Sequence, residues 1–354
     1  MDAARLRSER LRSHRLSAPA PTLVAAAGHV LATQGQEFWG GRWALAARTK
    51  GSPRLSSVDA AFDRGELVRS WTMRGTVHVI PPRDLAWVLS LTGERQFRTA
   101  ASRQRMLGLG EEEMVRSERA VRGALAGGNR LTRAELFDIF RGLGIDPREQ
   151  RGVHLLYAMS VRGVVVQGPV VARASGPTRE QYVVLSEEWV REHATPADPL
   201  AEFFVRYIDG HGPAGAADFA WWSGLPIGTA RRAVEAAAHR VTEVEDGMYV
   251  STSPPRRHPS APEVVALPPF DEYFLSYADR SPACAALEQV PLIATGGAMR
   301  PIVVARGVVV ATWLHSLAVG RHEGDPVPEP LVDGAATDVE VAAALERYRL
   351  FVTG

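Results

Sequence analysis

Two amides stand two residues apart in the stretch Thr33-Gln34-Gly35-Gln36-Glu37-Phe38-Trp39. Each glutamine carries one carbonyl acceptor and two N–H donors, and no charge. A pair of such groups can hold a water molecule or an anionic backbone without pulling a proton from it. Spacing decides whether Gln34 and Gln36 act together. Within a helix, residues i and i+2 diverge by roughly 200°. At a break containing Gly35, both amides can turn into one cleft. The residues alone leave a second reading open, in which both are ordinary polar positions at a helix end.

The flanking elements place that break. Residues 23–31 are Ala-rich and predict a helix, and residues 39–49 predict another, so the pair falls at a junction. A helix over 57–66, capped by Ser56 or Ser57 and closed by Gly65, comes next. Residues 67–80 alternate, are rich in β-branched and aromatic side chains, and stop at Pro81-Pro82, which predicts a β-ribbon. Helix, helix, ribbon is the order of a winged helix-turn-helix.

The plan recurs twice. Helices are predicted at 119–126, from 131 onward (Thr132 as cap, Glu135 three residues later) and at 154–160. Strands at 161–168 and 181–185 then flank a wing tip at 173–179. A third copy has helices at 200–208, 216–223 and 226–239, the last bearing Arg231 and Arg232 with Arg240 just beyond. It closes with a hairpin at 241–250 turning at Asp246-Gly247. After a Pro/Arg/Ser linker at 251–262 the remainder reads as mostly β, with strands at 264–267, 274–277, 301–305 and 308–313 and a turn at Arg306-Gly307. The predicted fold class is α+β: three tandem winged helix-turn-helix units (1–115, 116–195, 196–255) plus a β-rich C-terminal domain, 256–354.

Bulk properties narrow the function. A formal net charge of +1 gives no strong global field toward a polyanion. Lys50 is the only lysine; every other cation is arginine, which suits bidentate phosphate and guanine contacts. GC-rich codon usage explains the same bias. A helix at 84–91 is followed by Arg95, Arg98, Arg103 and Arg105, which can track phosphates or simply face solvent. With Cys284 as the only cysteine there is no disulfide framework and no thiolate metal cluster. His193, His211, His239, His258, His315 and His322 lack ligand spacing. No glycine loop ends in a phosphate-binding lysine, and Gly296-Gly297 reads as a plain loop. Neither metal nor cofactor is predicted. No apolar run reaches about eighteen residues, and the basic stretch at 5–15 has no signal-type apolar core after it. The expectation is a cytoplasmic monomer.

Three motifs add to this reading. The segment Leu31-Ala32-Thr33-Gln34-Gly35-Gln36-Glu37, followed by Trp43-Ala44-Leu45-Ala46-Ala47-Arg48, resembles the signature region of the winged-helix DNA glycosylase superfamily. Trp71-Thr72-Met73-Arg74-Gly75-Thr76-Val77-His78 is similar to that superfamily's Arg-Gly-Thr-aliphatic-His pattern. Leu267-Pro268-Pro269-Phe270-Asp271-Glu272-Tyr273, through Asp279-Arg280-Ser281, is typical of it too. Two glutamines place the chain nearest the AlkZ-like branch; the YcaQ-like branch has Asp at the second position. Gly35 departs from the aliphatic residue usual between them.

The resemblance implies hydrolysis of the N-glycosidic bond to a purine alkylated at N7 in double-stranded DNA, interstrand crosslinks included. Gln34 and Gln36 are the expected catalytic pair. Trp39, Arg42, Arg74, Thr76, His78 and Arg280 are expected at the DNA, with Glu37 and Asp271 as accessory groups. For His78 a structural role, and for Glu37 a helix first-turn carboxylate, remain the competing readings. N7-alkylation makes the base cationic, so it departs without an acid; the protein needs to position water and stabilise an oxocarbenium-like sugar. A lyase needs an amine for a Schiff base, and Lys50 is the only side-chain amine, so a monofunctional enzyme fits better. The alternative is a non-catalytic winged-helix DNA-binding protein or transcription regulator.

Overall fold

In the computed structural model of the chain, the backbone turns sharply just ahead of the glutamines. Helix Leu23–Val30 opens at Thr22, whose hydroxyl accepts the Ala25 N–H at 3.1 Å. It stops at Leu31, with φ 63° and ψ −55°. The Ala32 N–H donates to Val30 O at 2.8 Å, so residues 30–32 close a γ-turn. A non-glycine residue there costs about 1–3 kcal/mol and needs packing to hold it; Leu31 is fully buried. The break expected at Gly35 is therefore made earlier, at Leu31, and Thr33–Gln34 leaves it as a short strand.

The structure describes residues 1–174, 176–245, 247–284, 299–314, 325–332 and 334–354. Asp246 of the expected turn, Ser175 of the wing tip, Gly296-Gly297, His315 and His322 lie outside the described residues. The chain gathers into two units, one joining residues 1–58 to 200–354 and the other comprising 59–199. In order, the elements are α1 (Ala3–Ser13), α2 (Leu23–Val30), β1 (Thr33–Gln34), α3 (Phe38–Ala47), α4 (Leu55–Asp63), β2 (Val68–Met73), β3 (Thr76–Ile80), α5 (Pro82–Met106), α6 (Glu111–Leu125), α7 (Arg133–Gly142), α8 (Arg151–Val161), β4 (Val165–Val170), β5 (Gln181–Leu185) and α9 (Ser186–Trp189). They continue with α10 (Pro199–His211), α11 (Ala216–Ser223), α12 (Ile227–Ala237), β6 (Val241–Glu245), β7 (Met248–Ser251), β8 (Val264–Leu267), α13 (Glu272–Leu275), β9 (Ile302–Ala305), β10 (Val308–Leu314), β11 (Val327–Pro330) and α14 (Asp338–Thr353). Three helices followed by a hairpin thus occur three times along the chain, ahead of a sheet-containing C-terminal stretch, as the α+β winged-helix reading expects.

In the unit of residues 59–199, antiparallel strands run in the order β3-β2-β4-β5. The β2–β3 turn is Arg74-Gly75, with φ of 55° and 70°. Positive φ at both central residues is the type I′ geometry, whose twist matches the strands it joins. α7 opens with a capping box: Thr132 Oγ1 accepts from Glu135 N, and Glu135 Oε2 accepts from Thr132 N at 2.7 Å. Its Leu136 and Phe140 pack with Val121, Leu125, Leu155, Val165 and Val183.

In the other unit, β8 to β11 form an antiparallel sheet in the order β11-β10-β9-β8. Helices α3 and α14 both pack on β8. Trp43 Nε1 donates to Ala266 O at 2.8 Å, and Trp313 Nε1 to Leu267 O at 3.1 Å. The rings of Trp39, Trp43, Trp313 and Tyr348 meet between these layers, mostly edge to face. No helix among the described residues is long and apolar enough to cross a membrane.

Four local expectations are corrected. α4 begins at Leu55, so Ser56 and Ser57 lie inside it; the Arg54 carbonyl takes the first N–H groups. The helix expected at 84–91 and the arginines after it form one element, α5, of 25 residues. Residues 274–277 are not a strand, because Asp271 accepts from Tyr273 N at 2.9 Å and starts the turn of α13 instead. Val161 ends α8 rather than opening a strand.

Candidate active site

Gln34 and Gln36 are joined by the chain itself. Gln34 Oε1 accepts the backbone N–H of Gln36 at 2.6 Å. This fixes which end of the Gln34 amide is oxygen, since only an acceptor satisfies that contact. Gln34 is 7% exposed, whereas Gln36 is exposed. One amide is locked into the turn and the other is displayed beside it. Glu37, the N-cap residue of α3, makes no side-chain capping bond.

Two consecutive acids hold the segment that carries this pair. Asp271 meets Arg48 in a bidentate ion pair, Nη1 to Oδ2 at 2.9 Å and Nη2 to Oδ1 at 2.7 Å, with both side chains essentially inaccessible. Arg48 is the C-cap of α3. Glu272 accepts the Gln34 backbone N–H on Oε1 at 2.8 Å. Its Oε2 accepts from Trp222 Nε1 at 3.0 Å and Ser276 Oγ at 2.6 Å, and His211 Nε2 lies 3.9 Å away. The expected accessory role of Asp271 thus becomes structural: its charge is spent on Arg48. Glu272, absent from the sequence-based site, touches the motif directly. The signal was a pair of acids inside an otherwise apolar stretch.

A neutral histidine layer lies in the same unit. Tyr277 O–H donates to His211 O at 2.6 Å, so its oxygen accepts from His14 Nε2, 2.8 Å away. Burial, then His211, Arg48 and Arg10, hold the His14 pKa well below its ordinary value. Burial and the Arg15 charge lower His29 to about 4.

In the unit of residues 59–199, His78 is fully buried. Its Nδ1 meets Thr72 Oγ1 at 2.9 Å and its Nε2 meets Arg74 Nη2 at 3.3 Å. Guanidinium only donates, so Nε2 accepts and the ring proton sits on Nδ1. Burial, then Arg74, push the His78 pKa well below its usual value. The structural reading of His78 is the one supported: it orients Arg74, which is half-buried at the turn. Thr76, also half-buried, donates to Met73 O at 3.3 Å.

Two residues expected at the DNA are core side chains. Trp39 is 4% exposed and packs against Trp313 and Tyr348. Arg42 is 0% exposed, with its guanidinium 4.2 Å from the Phe38 ring centroid. Burial makes both of them supports rather than contacts. Arg280 is half-buried and stacks over Trp221 at 4.9 Å; Trp221 itself is 49% exposed.

Comparison with known proteins bears on this geometry. The family model described as "DNA glycosylase AlkZ-like" matches residues 27–351. Among solved structures, the DNA glycosylase AlkZ of Streptomyces sahachiroi is similar with a TM-score of 0.77 and 21% sequence identity, covering 98% of this chain and 96% of that one. No curated protein matches the chain. At that identity the structural likeness speaks for the fold, while the family match spans the glutamine pair, Arg74 and both acids. The chain belongs to the AlkZ-like DNA glycosylase family, and is a hydrolase of N-glycosyl bonds.

Proposed function

We propose that this enzyme is a monofunctional glycosylase, acting as a monomer on double-stranded DNA, that releases purines alkylated at N7. Bulky adducts and interstrand crosslinks fall within its range, in DNA repair or in self-resistance to a genotoxin. The observation that carries the reading is the arrangement of the pair: Gln34 locked to the Gln36 backbone at 2.6 Å, Gln36 exposed beside it. An exposed amide of fixed origin can orient a water by accepting its proton-bearing side while leaving the water neutral. Water then adds its oxygen to C1′ of the sugar and gives up a proton to solvent, and the base departs with the bonding pair, which cancels its positive charge. No general acid is needed for a leaving group already cationic.

Arg74, Thr76 and Arg280 are proposed as DNA contacts, and Glu37 as a nearby negative charge. The four-segment division at 115, 195 and 255 is likewise proposed as the repeat organisation of the chain. Lys50 is exposed in the loop after α3, and this scheme forms no Schiff base with it. The test is incubation with duplex DNA bearing N7-methylguanine or a bulky N7 adduct, followed by alkaline cleavage. Strand breaks at the lesion support the reading. No break on either duplex overturns it, and a covalent enzyme–DNA adduct trapped by borohydride overturns the monofunctional part.

A further inference from the structure

Glu272 has no place in the chemistry just described, yet it accepts a hydrogen bond from the backbone of the catalytic segment at Gln34. It is 1% exposed. The Gln34 N–H donates to one of its oxygens, and the Trp222 indole and the Ser276 hydroxyl donate to the other. In all three contacts the Glu272 oxygens accept.

The three donors come from three places. Trp222 is on α11, Ser276 caps the end of α13, and Gln34 lies immediately after the strained γ-turn at Leu31. The adjacent Asp271 grips Arg48 at the far end of α3. The two acids therefore hold the segment from Gln34 to Arg48 at both ends. The Gln34 side-chain Oε1 in turn accepts the Gln36 N–H. A bond to the Gln34 N–H therefore anchors the backbone that carries both amides.

We infer that Glu272 is a positioning residue for excision, setting the orientation of Gln34 and Gln36 through the Gln34 backbone N–H. This rests on the proposed role of the glutamine pair.

The geometry defines the test. In Glu272→Gln one carboxylate oxygen becomes an NH2 group, which cannot accept from Gln34 N–H on one side or from the Trp222 indole on the other. Orienting partners of this kind are worth roughly tenfold to a hundredfold. Single-turnover release of N7-methylguanine should fall by that factor, with duplex affinity changed within about twofold. Deuterium exchange of the free protein over residues 31–37 should quicken. Trp222→Phe and Ser276→Ala each remove one donor while keeping the packing, and should slow release severalfold in the same manner. These two variants decide the matter if Glu272→Gln does not fold. Unchanged single-turnover rates in the folded variants, or equal losses of rate and affinity, overturn the inference. A parent protein that releases no base overturns the proposed function instead, and exchange at residues 31–37 then decides the anchoring by itself: no change in the variants means that Glu272 does not hold the segment.

Discussion

Gln36 displays its amide while Gln34 spends one lone pair on the chain, so substitutions at the two positions differ in kind. Gln36→Asp should keep most of the excision rate, because a carboxylate oxygen can hold the same water and the YcaQ-like branch carries Asp there. Gln36→Glu should do less well, since the extra methylene displaces the acceptor; a rate for Glu above that for Asp contradicts this. The ion pair beneath the motif gives a stability prediction. Asp271→Ala leaves Arg48 buried and uncompensated, a loss of about 3–5 kcal/mol that denaturant unfolding should register. Titration adds a third. His14 and His29 stay neutral when folded, with pKa values below the unfolded 6.5. As pH falls through 6.5 the unfolded chain takes up protons first, so stability drops from there toward about 4 and is flat, for these groups, above 7. Equal unfolding free energies at pH 7.5 and 5 would contradict it. That Gln34 and Gln36 come together was legible because spacing is a local property. Glu272 was not, because its partner is a backbone N–H 238 residues away in sequence.

Helix α5 shows how tightly elements are set against each other. Gly93 sits in its interior, and a Cβ there would run into Val161 O and approach Leu89 Cβ to 3.8 Å. Backbone atoms of α8 cannot retreat as a flexible side chain would. Gly93→Ala should therefore destabilise the protein by about 1–2 kcal/mol, the overpacking cost exceeding the roughly 1 kcal/mol that alanine gains in a helix. A raised unfolding midpoint in that variant contradicts the packing argument. Elements with a clear period or a turn signature were legible: α7 from its Thr132–Glu135 box, the β9–β10 hairpin from Arg306-Gly307, the β2–β3 ribbon from its alternation and the Pro81-Pro82 stop. α1, α14 and the short β11 were not anticipated. α14 packs on β8 with Leu345, Tyr348 and Phe351 buried, and its Thr337–Glu340 capping box was readable but obscured by the valine-rich strands before it. The strand expected at 274–277 failed because Asp271 caps a turn there, and tertiary context outranks β propensity.

At the scale of the whole molecule, a net charge of +1 means that any arginine-rich DNA face is balanced by acids elsewhere. Duplex binding should weaken as salt rises, with log K falling linearly against log salt at a slope of about 0.9 per phosphate neutralised. Affinity indifferent to salt between low and physiological concentration contradicts the arginine-contact proposal. The winged-helix order was legible from three successive helix–hairpin patterns. The gathering of residues 1–58 with 200–354 was not, because it depends on contacts such as Arg48–Asp271 and Trp43–Ala266 that no local pattern encodes. In the proposed function the glutamine pair positions water for hydrolysis at a cationic purine. Single-turnover release of N7-methylguanine from a duplex, compared between the parent protein and Gln36→Ala, tests it most directly. Release by the parent is expected, with a loss of roughly 10², or about 3 kcal/mol, in the variant and duplex affinity nearly intact. Equal rates in the two proteins, or no release by the parent, would contradict it.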